Sequence, residues 1–328
     1  MLEVAVIADD LTGAGDTGVQ FLSAAAPIYL MGLEDIGRPK FKVPPAGLSV
    51  YTDSRALTSK EAADSVRAAA KKLVPFTPAL IYKKVDSSLR GNIGAEADAL
   101  LEHFHLPVGF LAPALPGQGR TTVHDVHQIH GRPVAETEMA RDPVMPVTES
   151  RLSVLMAEQS RFPVGRIDID DYVHGFGYLA QQVIHLVADG CRYVVFDAQT
   201  PAHLDTIARL GRFQPALMIG SAGLAEALST LIAGDEDRTP ELTRPAGEGI
   251  LFVAGSASAV TRNQIDRMIR SFSPNTVTLD PADLADSEQT EKRRMIARKA
   301  AEQLTRGPLV WRLSPSPSGK HHPPFSIL

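Results

Sequence analysis

Charged and hydroxylic residues gather at three points early in the chain, each beside a short apolar run. Asp9, Asp10 and Asp16 surround Gly13, Gly15 and Gly18. Asp53-Ser54-Arg55 follows the run Leu48–Tyr51, and Lys83-Lys84-Val85-Asp86-Ser87-Ser88-Leu89-Arg90-Gly91-Asn92 continues the run that begins at Leu80. Three carboxylates at Asp9, Asp10 and Asp16 can accept hydrogen bonds from a polyhydroxylated ligand, and one can act as general base. Lys83, Lys84 and Arg90, with Arg55, supply positive charge suited to a carboxylate or a phosphate. Asp86 can orient one of these cations or take a proton. The bland alternatives are helix N-capping by Asp10 or Thr12 and a solvated charged loop at 83–92. Capping uses one aspartate and leaves the others without a task, which favours a ligand site.

Other patterns are weaker. Gly13-x-Gly15-x-x-Gly18 has the spacing of a dinucleotide fingerprint and keeps a nicotinamide-dependent oxidoreductase open as an alternative. Two aspartates stand before those glycines, however, where they would repel a pyrophosphate. Gly255-Ser256-Ala257-Ser258 and Gly220-Ser221-Ala222-Gly223 are small-residue turns between a strand and a helix, able to approach a phosphate closely or simply to cap and pack. His124, His127 and His130 recur every third residue without the Cys or Glu of a usual zinc site, so no metal ligand set is assigned. Walker A spacing is absent from the sequence.

The elements that must position these residues alternate in type. Strands are expected at Val4–Ala8, Ile28–Met31, Leu48–Tyr51, Leu80–Lys83, Val108–Leu111, Tyr193–Phe196 and Leu217–Ile219. Helices are expected at Ala14–Ala25, from Thr58 to Leu73, and at Ala95–His103, Val183–Ala188, Ala202–Leu210 and Ala222–Leu231. Thr58 and Glu61 have capping-box spacing. Apolar strands alternating with amphipathic helices imply an α/β fold with a mostly parallel, doubly wound sheet. In such sheets ligands bind beyond the carboxyl ends of the strands, where all three polar clusters fall. Pro113 to Ser150 breaks the rhythm. It is rich in Pro, Gly, Thr and His, carries Arg120, Arg132 and Arg141, and reads as an irregular segment lining the site or as a decorated hairpin.

Residues 1–232 read as one domain, 233–248 as a linker and 249–328 as a second, incomplete α/β domain. The latter has strands at Ile250–Ala254, Thr276–Leu279 and Leu309–Leu313, helices at Val260–Ile269 and Glu288–Leu304, and an irregular tail at 314–328. Three strands are half of a usual nucleotide-binding sheet. Truncation is therefore expected, with Leu309, Val310, Trp311 and Leu313 left exposed and available for self-association into a homo-oligomer. The 328 residues carry a net charge of -5 with no long basic block, which argues against nucleic-acid and membrane-surface partners. One cysteine, Cys191, excludes an intrachain disulfide. The start MLEVAVIADD lacks a signal-peptide pattern, and no apolar run reaches the ~18 residues of a membrane span. A cytoplasmic location is the default.

Taken in order along the chain, these motifs resemble the four-carbon acid sugar kinases. The resemblance rests on Ala8-Asp9-Asp10-Leu11-Thr12-Gly13-Ala14 with Asp16-Thr17, Asp53-Ser54-Arg55 and Lys83 through Asn92. It continues in Pro113-Ala114 with Gly119-Arg120-Thr121-Thr122, Gly220-Ser221-Ala222-Gly223-Leu224-Ala225, and Gly255-Ser256. It implies an N-terminal domain that binds the acid sugar, a C-terminal domain that binds ATP with Mg²⁺, and phosphorylation of D-threonate, D-erythronate or a 3-oxo-tetronate. Arg141-Asp142-Pro143 is more similar to the threonate and erythronate kinases. By position, Asp10, Arg55, Lys83, Lys84, Val85 and Asp86 resemble the substrate-binding set, with Asp10 and Asp86 as the catalytic candidates. Asp9, Asp16, Arg90 and Arg120 complete the expected substrate contacts. Gly255, Ser256 and Ser258 fall in the turn that resembles an ATP contact. The family's later glycine-rich nucleotide loops have no counterpart in these residues. The expectation is therefore weak ATP binding and little turnover, or at the limit an inactive acid-sugar binder.

Overall fold

The computed structural model describes residues 2–22, 27–38, 41–233, 250–254, 259–279, 290–304 and 309–313. The chain divides into two compact units, Met1–Glu241 and Leu242–Leu328.

The first unit is built on eight strands. β1 (Val4–Ala8), β2 (Ile28–Gly32), β3 (Gly47–Tyr51), β4 (Leu80–Lys84) and β5 (Gly109–Ala112) come first. β9 (Val164–Ile167), β10 (Tyr193–Phe196) and β11 (Leu217–Gly220) follow later in the chain. They lie in the order β2-β3-β1-β4-β11-β5-β10-β9, with every pairing parallel. The strand β1 shows why the sequence selects this fold. All five residues are buried, and they alternate between two cores: Ala5 and Ile7 join the cluster with Val66, Leu73 and Leu100, whereas Val4 and Val6 join the cluster with Phe110, Leu204 and Leu224. A strand buried on both faces reads as a continuous apolar run.

The helices supply the two covers. α2 (Ser59–Leu73) and α3 (Ile93–His103) lie on one face; α6 (Pro201–Phe213) and α7 (Ala222–Ala233) lie on the other. The expected capping box at Thr58 and Glu61 starts α2. α1 (Leu11–Gly18) begins earlier than its apolar pattern suggests because the Asp10 side chain accepts from the Gly13 N–H at 2.8 Å and caps it. It ends earlier too, passing into a single 3₁₀ turn at Val19–Phe21.

The excursion after β5 is more ordered than its composition suggests. β6 (Arg120–Val123), β7 (Val126–Ile129) and β8 (Arg132–Pro133) form an antiparallel sheet. His124 and Asp125, both with positive φ (49° and 70°), make the two-residue turn between β6 and β7. The strands escape an apolar-periodicity reading because their fully buried members are polar, Thr122 and His127. Two further elements, α4 (Leu152–Gln159) and the edge strand β9, were not marked by the sequence patterns; α5 (Gly175–Ala188) starts earlier than expected.

The second unit has a parallel sheet in the order β12-β14-β13, with β12 at Leu251–Ala254, β13 at Asn275–Leu279 and β14 at Leu309–Leu313. α8 (Ala259–Phe272) and a helix at Thr290–Leu304 connect them. The expected exposure of Leu309 and Val310 is not found. β14 is the central strand and both side chains are fully buried, while Leu251, Phe252 and Val253 on the edge strand are exposed. The expected tail, the turn at 255–258 and most of the expected linker lie outside the described residues. No described helix is long and apolar enough to cross a membrane.

Candidate functional site

The strand order fixes where the site can be. From β1 the chain runs outward to β2 and β3 on one side, then returns to place β4 on the other. The carboxyl ends of β1 and β4 therefore flank a topological switch point, where open α/β sheets bind ligands. The three polar clusters leave β1, β3 and β4 at this edge.

Arg55 is their hub. Its Nε and one terminal nitrogen meet the two oxygens of Asp9 at 2.7 and 3.0 Å, and its other terminal nitrogen meets Asp10 Oδ2 at 2.8 Å. Burial works against the Arg55 charge, but Asp9, Asp86 and Asp10 outweigh it and raise its affinity for the proton. The fork that the sequence suggested for a ligand carboxylate is thus occupied by the protein's own carboxylates. Gly91 (φ +100°) brings the 86–92 loop against this pair: a Cβ there would lie 3.0 Å from Asp9 Oδ2.

The two adjacent lysines have opposite fates. Lys83 is fully buried, its ammonium 2.6 Å from Glu96 Oε2 and donating to the Lys84 carbonyl at 2.8 Å. Glu96 in turn accepts from Ser54 Oγ at 2.5 Å, and Ser54 contacts Thr52 Oγ1 at 2.7 Å. Burial raises the Glu96 carboxyl above its ordinary value, against the Lys83 charge. This network ties β4, α3 and β3 together beneath the site, so Lys83 is a foundation and not a ligand contact. Lys84 is also buried, 5% exposed, but among the described residues its ammonium forms no ion pair or hydrogen bond. It reaches the first turn of α1, where a Cβ at Gly13 would lie 3.0 Å from Nζ. Burial lowers its proton affinity, with Asp9, Asp86 and Asp10 pulling the other way.

Asp86 completes the cup. Its Oδ2 accepts from Arg90 Nε at 2.6 Å and from the Arg90 N–H at 3.3 Å. Burial pushes its carboxyl upward, but Arg90, Arg55 and Lys84 prevail and hold it below the ordinary value. Arg90 reaches on to Asp142 Oδ2 at 3.2 Å. Asp53, exposed and in a left-handed conformation (φ 49°), has its carboxyl raised by burial and then by Asp10.

Other expected contacts stand elsewhere. The Val85 side chain is in the core and its N–H donates to the Gly220 carbonyl at 2.9 Å. Asp16 is on the exposed face of α1, and its carboxylate pairs with no described residue. Arg120 donates to the carbonyl and side chain of Gln118 at 2.8 and 3.2 Å. At Gly223 a Cβ would meet the Ala114 carbonyl at 2.8 Å, so that turn serves close helix–sheet packing. The dinucleotide alternative fails on geometry. Gly13, Gly15 and Gly18 lie inside α1 and not in a loop before it. Gly13 is closed off by Asp10 and Lys84, and Gly18 packs on Ser49, where a Cβ would lie at 2.9 Å. Gly255, Ser256 and Ser258 are outside the described residues.

Glu96, His127 and Asp142 border these clusters, but the sequence did not assign them there: it weighed His127 only as a metal ligand and Asp142 only within Arg141-Asp142-Pro143. Glu96 did leave a signal: it shares the helical spacing of Ile93, Ala97 and Leu100, a carboxylate on an apolar face. The three histidines do not converge. His124 Nδ1 meets Asp168 at 2.9 Å, His127 is buried, and His130 lies beside Gly119.

Known proteins share this frame. Residues 4–228 match the family described as a sugar-binding N-terminal domain. The chain is 36% identical over 295 residues to a D-threonate kinase of Salmonella typhimurium, covering 88% of this chain and 66% of that one. It is 33% identical to a D-erythronate kinase of Heliobacterium modesticaldum (87% and 64%) and 32% identical to a 3-oxo-tetronate kinase of Escherichia coli (81% and 69%). The chain thus spans about two thirds of the length of these relatives. A Salmonella typhimurium crystal structure, 25% identical, superposes with a TM-score of 0.81 over 96% of this chain and 76% of that one. A Bordetella bronchiseptica structure, a domain-swapped dimer with bound citrate, is 29% identical with a TM-score of 0.61 over 97% and 76%. By sequence, motif order and fold, this chain belongs to the four-carbon acid sugar kinase family.

Proposed function

We propose that the strand ends of β1, β3 and β4 bind a four-carbon sugar acid, D-threonate or D-erythronate in preference to a 3-oxo-tetronate, and that the chain serves its phosphorylation by ATP. The observation that carries this is Lys84, a buried ammonium with no protein partner among the described residues, facing a cup of carboxylates. An unpaired buried charge is costly, and a ligand carboxylate at Nζ removes that cost. The hydroxyls of the same ligand then meet Asp10 and Asp86, each of which keeps acceptor capacity beyond its bond to arginine. Citrate, held by the Bordetella relative, belongs to the same chemical class of hydroxy acids.

The chain's own residues have separable tasks. Lys84 anchors the acid end. Arg55 fixes Asp9 and Asp10 and balances their charge, and Asp10 or Asp86 accepts the proton of the hydroxyl that is phosphorylated. Phosphoryl transfer runs through a loose transition state, so positioning and charge matter more than a strong base. That suits Asp86, whose carboxyl is held low. ATP, accompanied by Mg²⁺, supplies the phosphoryl group. The residues proposed for it, Gly255, Ser256 and Ser258, follow β12 and precede α8.

Calorimetric titration with D-threonate tests this reading. The wild-type chain should bind, and Lys84→Met should weaken binding by about 30-fold or more, the loss of one charged partner in a site. Binding by Lys84→Met within about twofold of wild type would sink the assignment. A kinase assay with ATP and D-threonate then separates an active enzyme from a chain that only binds the acid.

A further inference from the structure

Two side chains of the 113–150 excursion hold the loop that carries Asp86, and neither touches the cup itself. His127 on β7 is fully buried, its proton affinity lowered by burial to a pKa of about 4, so the ring is neutral. Its Nε2 lies 2.9 Å from the Ser87 carbonyl, which can only accept, so Nε2 carries the proton. Nδ1 then accepts from the Thr122 hydroxyl at 3.0 Å. Thr122 is fixed to the main sheet by paired backbone bonds with Ala198 at 2.9 and 3.0 Å. From the other side, Asp142 Oδ1 accepts from the Val144 and Met145 N–H groups at 3.0 and 2.9 Å, while Oδ2 holds Arg90. The loop between them contains Leu89 at φ +66° and Gly91 at φ +100°. A leucine in the left-handed region persists only where its surroundings over-determine it.

We infer that His127 and Asp142 are positioning residues that clamp the Asp86–Arg90 loop, one through the Ser87 carbonyl and one through the Arg90 guanidinium, so that the Asp86 carboxylate meets the ligand in a fixed orientation. The inference rests on the sugar-acid reading for its ligand but not for its geometry. It divides the excursion into a scaffold, β6 to β8, and two contacts that reach the site.

Residue-resolved hydrogen exchange of the ligand-free protein tests the clamp directly. In Asp142→Asn and in His127→Phe the Leu89 and Arg90 amides should exchange about tenfold faster, while amides of β1 and β3 stay within about twofold. His127→Gln, which keeps a donor for Ser87, should restore most of the protection. The same two loosened variants should bind D-threonate about tenfold more weakly. Unchanged loop amides, acceleration shared equally by every sheet amide, or unchanged affinity with a loosened loop would each overturn the proposal. Should His127→Phe not fold, Asp142→Asn decides alone, because it keeps the size of a side chain that is only partly buried. If the wild-type chain fails to bind D-threonate, the sugar-acid reading falls, and exchange in the free protein still decides whether the clamp exists.

Discussion

Two acidic clusters sit along one edge of the eight-stranded sheet, and they use their carboxylates differently. Near β9 and β10, Asp197 accepts from the Asp125 and Ile169 N–H groups, both at 3.0 Å, and Asp125 accepts from the N–H and hydroxyl of Ser153. These acids cap backbone, and among the described residues neither Asp197 nor Asp125 forms an ion pair. Burial leads the rise of the Asp197 carboxyl above its ordinary value. Near β1, β3 and β4 the carboxylates face Arg55, Arg90 and Lys84. A carboxylate saturated by N–H groups is finished. One held by side-chain cations beside an unpartnered ammonium is prepared for something more. The hairpin β6–β7 joins the two regions, with His127 reaching the first and Asp125 the second.

The sharpest break of this comparison is made beneath the first cluster. Lys83→Met leaves Glu96 buried without its cation, and removing one partner of a buried pair costs about 3–5 kcal/mol. Thermal unfolding should show a large drop in Tm, and Lys83→Met/Glu96→Leu should recover much of it. Lys84→Met, one residue away, should leave Tm near wild type and weaken D-threonate binding by about 30-fold or more. If both lysines behaved alike, the division between foundation and ligand contact would be wrong.

Acid probes the hairpin that joins the regions. His127 has a folded pKa of about 4 against an ordinary 6.5. Below pH 6.5 the unfolded chain takes up this proton and the folded chain does not, so stability falls as pH drops. The loss grows to about 3 kcal/mol by pH 4 and then levels off. The difference in denaturant stability between wild type and His127→Gln across this window isolates the group from the carboxylates.

The second cluster should respond in stability alone. Asp197→Ala strips the acceptor from two backbone N–H groups, at a cost of about 1–3 kcal/mol, with D-threonate affinity within about twofold of wild type. The smallest effect is expected at Asp16→Asn, on the exposed face of α1: no change in Tm and affinity within about twofold. A large loss of affinity there would extend the cup along the helix.

The inner strands of the first sheet were legible because they are buried on both faces, and α2 because Thr58 and Glu61 announce its start. The three strand-end clusters could be read from position alone, and the structure brings Asp9, Asp10, Arg55, Lys84, Asp86 and Arg90 together. What escaped was whatever depends on a partner distant in sequence. Nothing local distinguishes Lys83 from Lys84; the difference is Glu96 on a helix packed below one of them. The hairpin was hidden because its inward residues are Thr122 and His127, which carry no apolar period. The pairing of Arg55 could not be read locally, because Asp9 and Asp10 lie 46 and 45 positions earlier and meet it only when β1 and β3 pair.

The placement of β11 bears on how the unit is made on the ribosome. This strand, Leu217–Gly220, lies at the middle of the sheet, hydrogen-bonded to β4 on one side and β5 on the other. Both neighbours are complete by Ala112, so until Gly220 has been synthesised each exposes an unpaired edge to the gap that β11 will fill. Open edges of this kind invite mispairing, and a parallel contact over such a sequence separation forms slowly. The nascent chain therefore passes through a long interval in which β4 and β5 can pair directly and in the wrong order, and insertion of β11 between them is the step that commits the unit to its final topology.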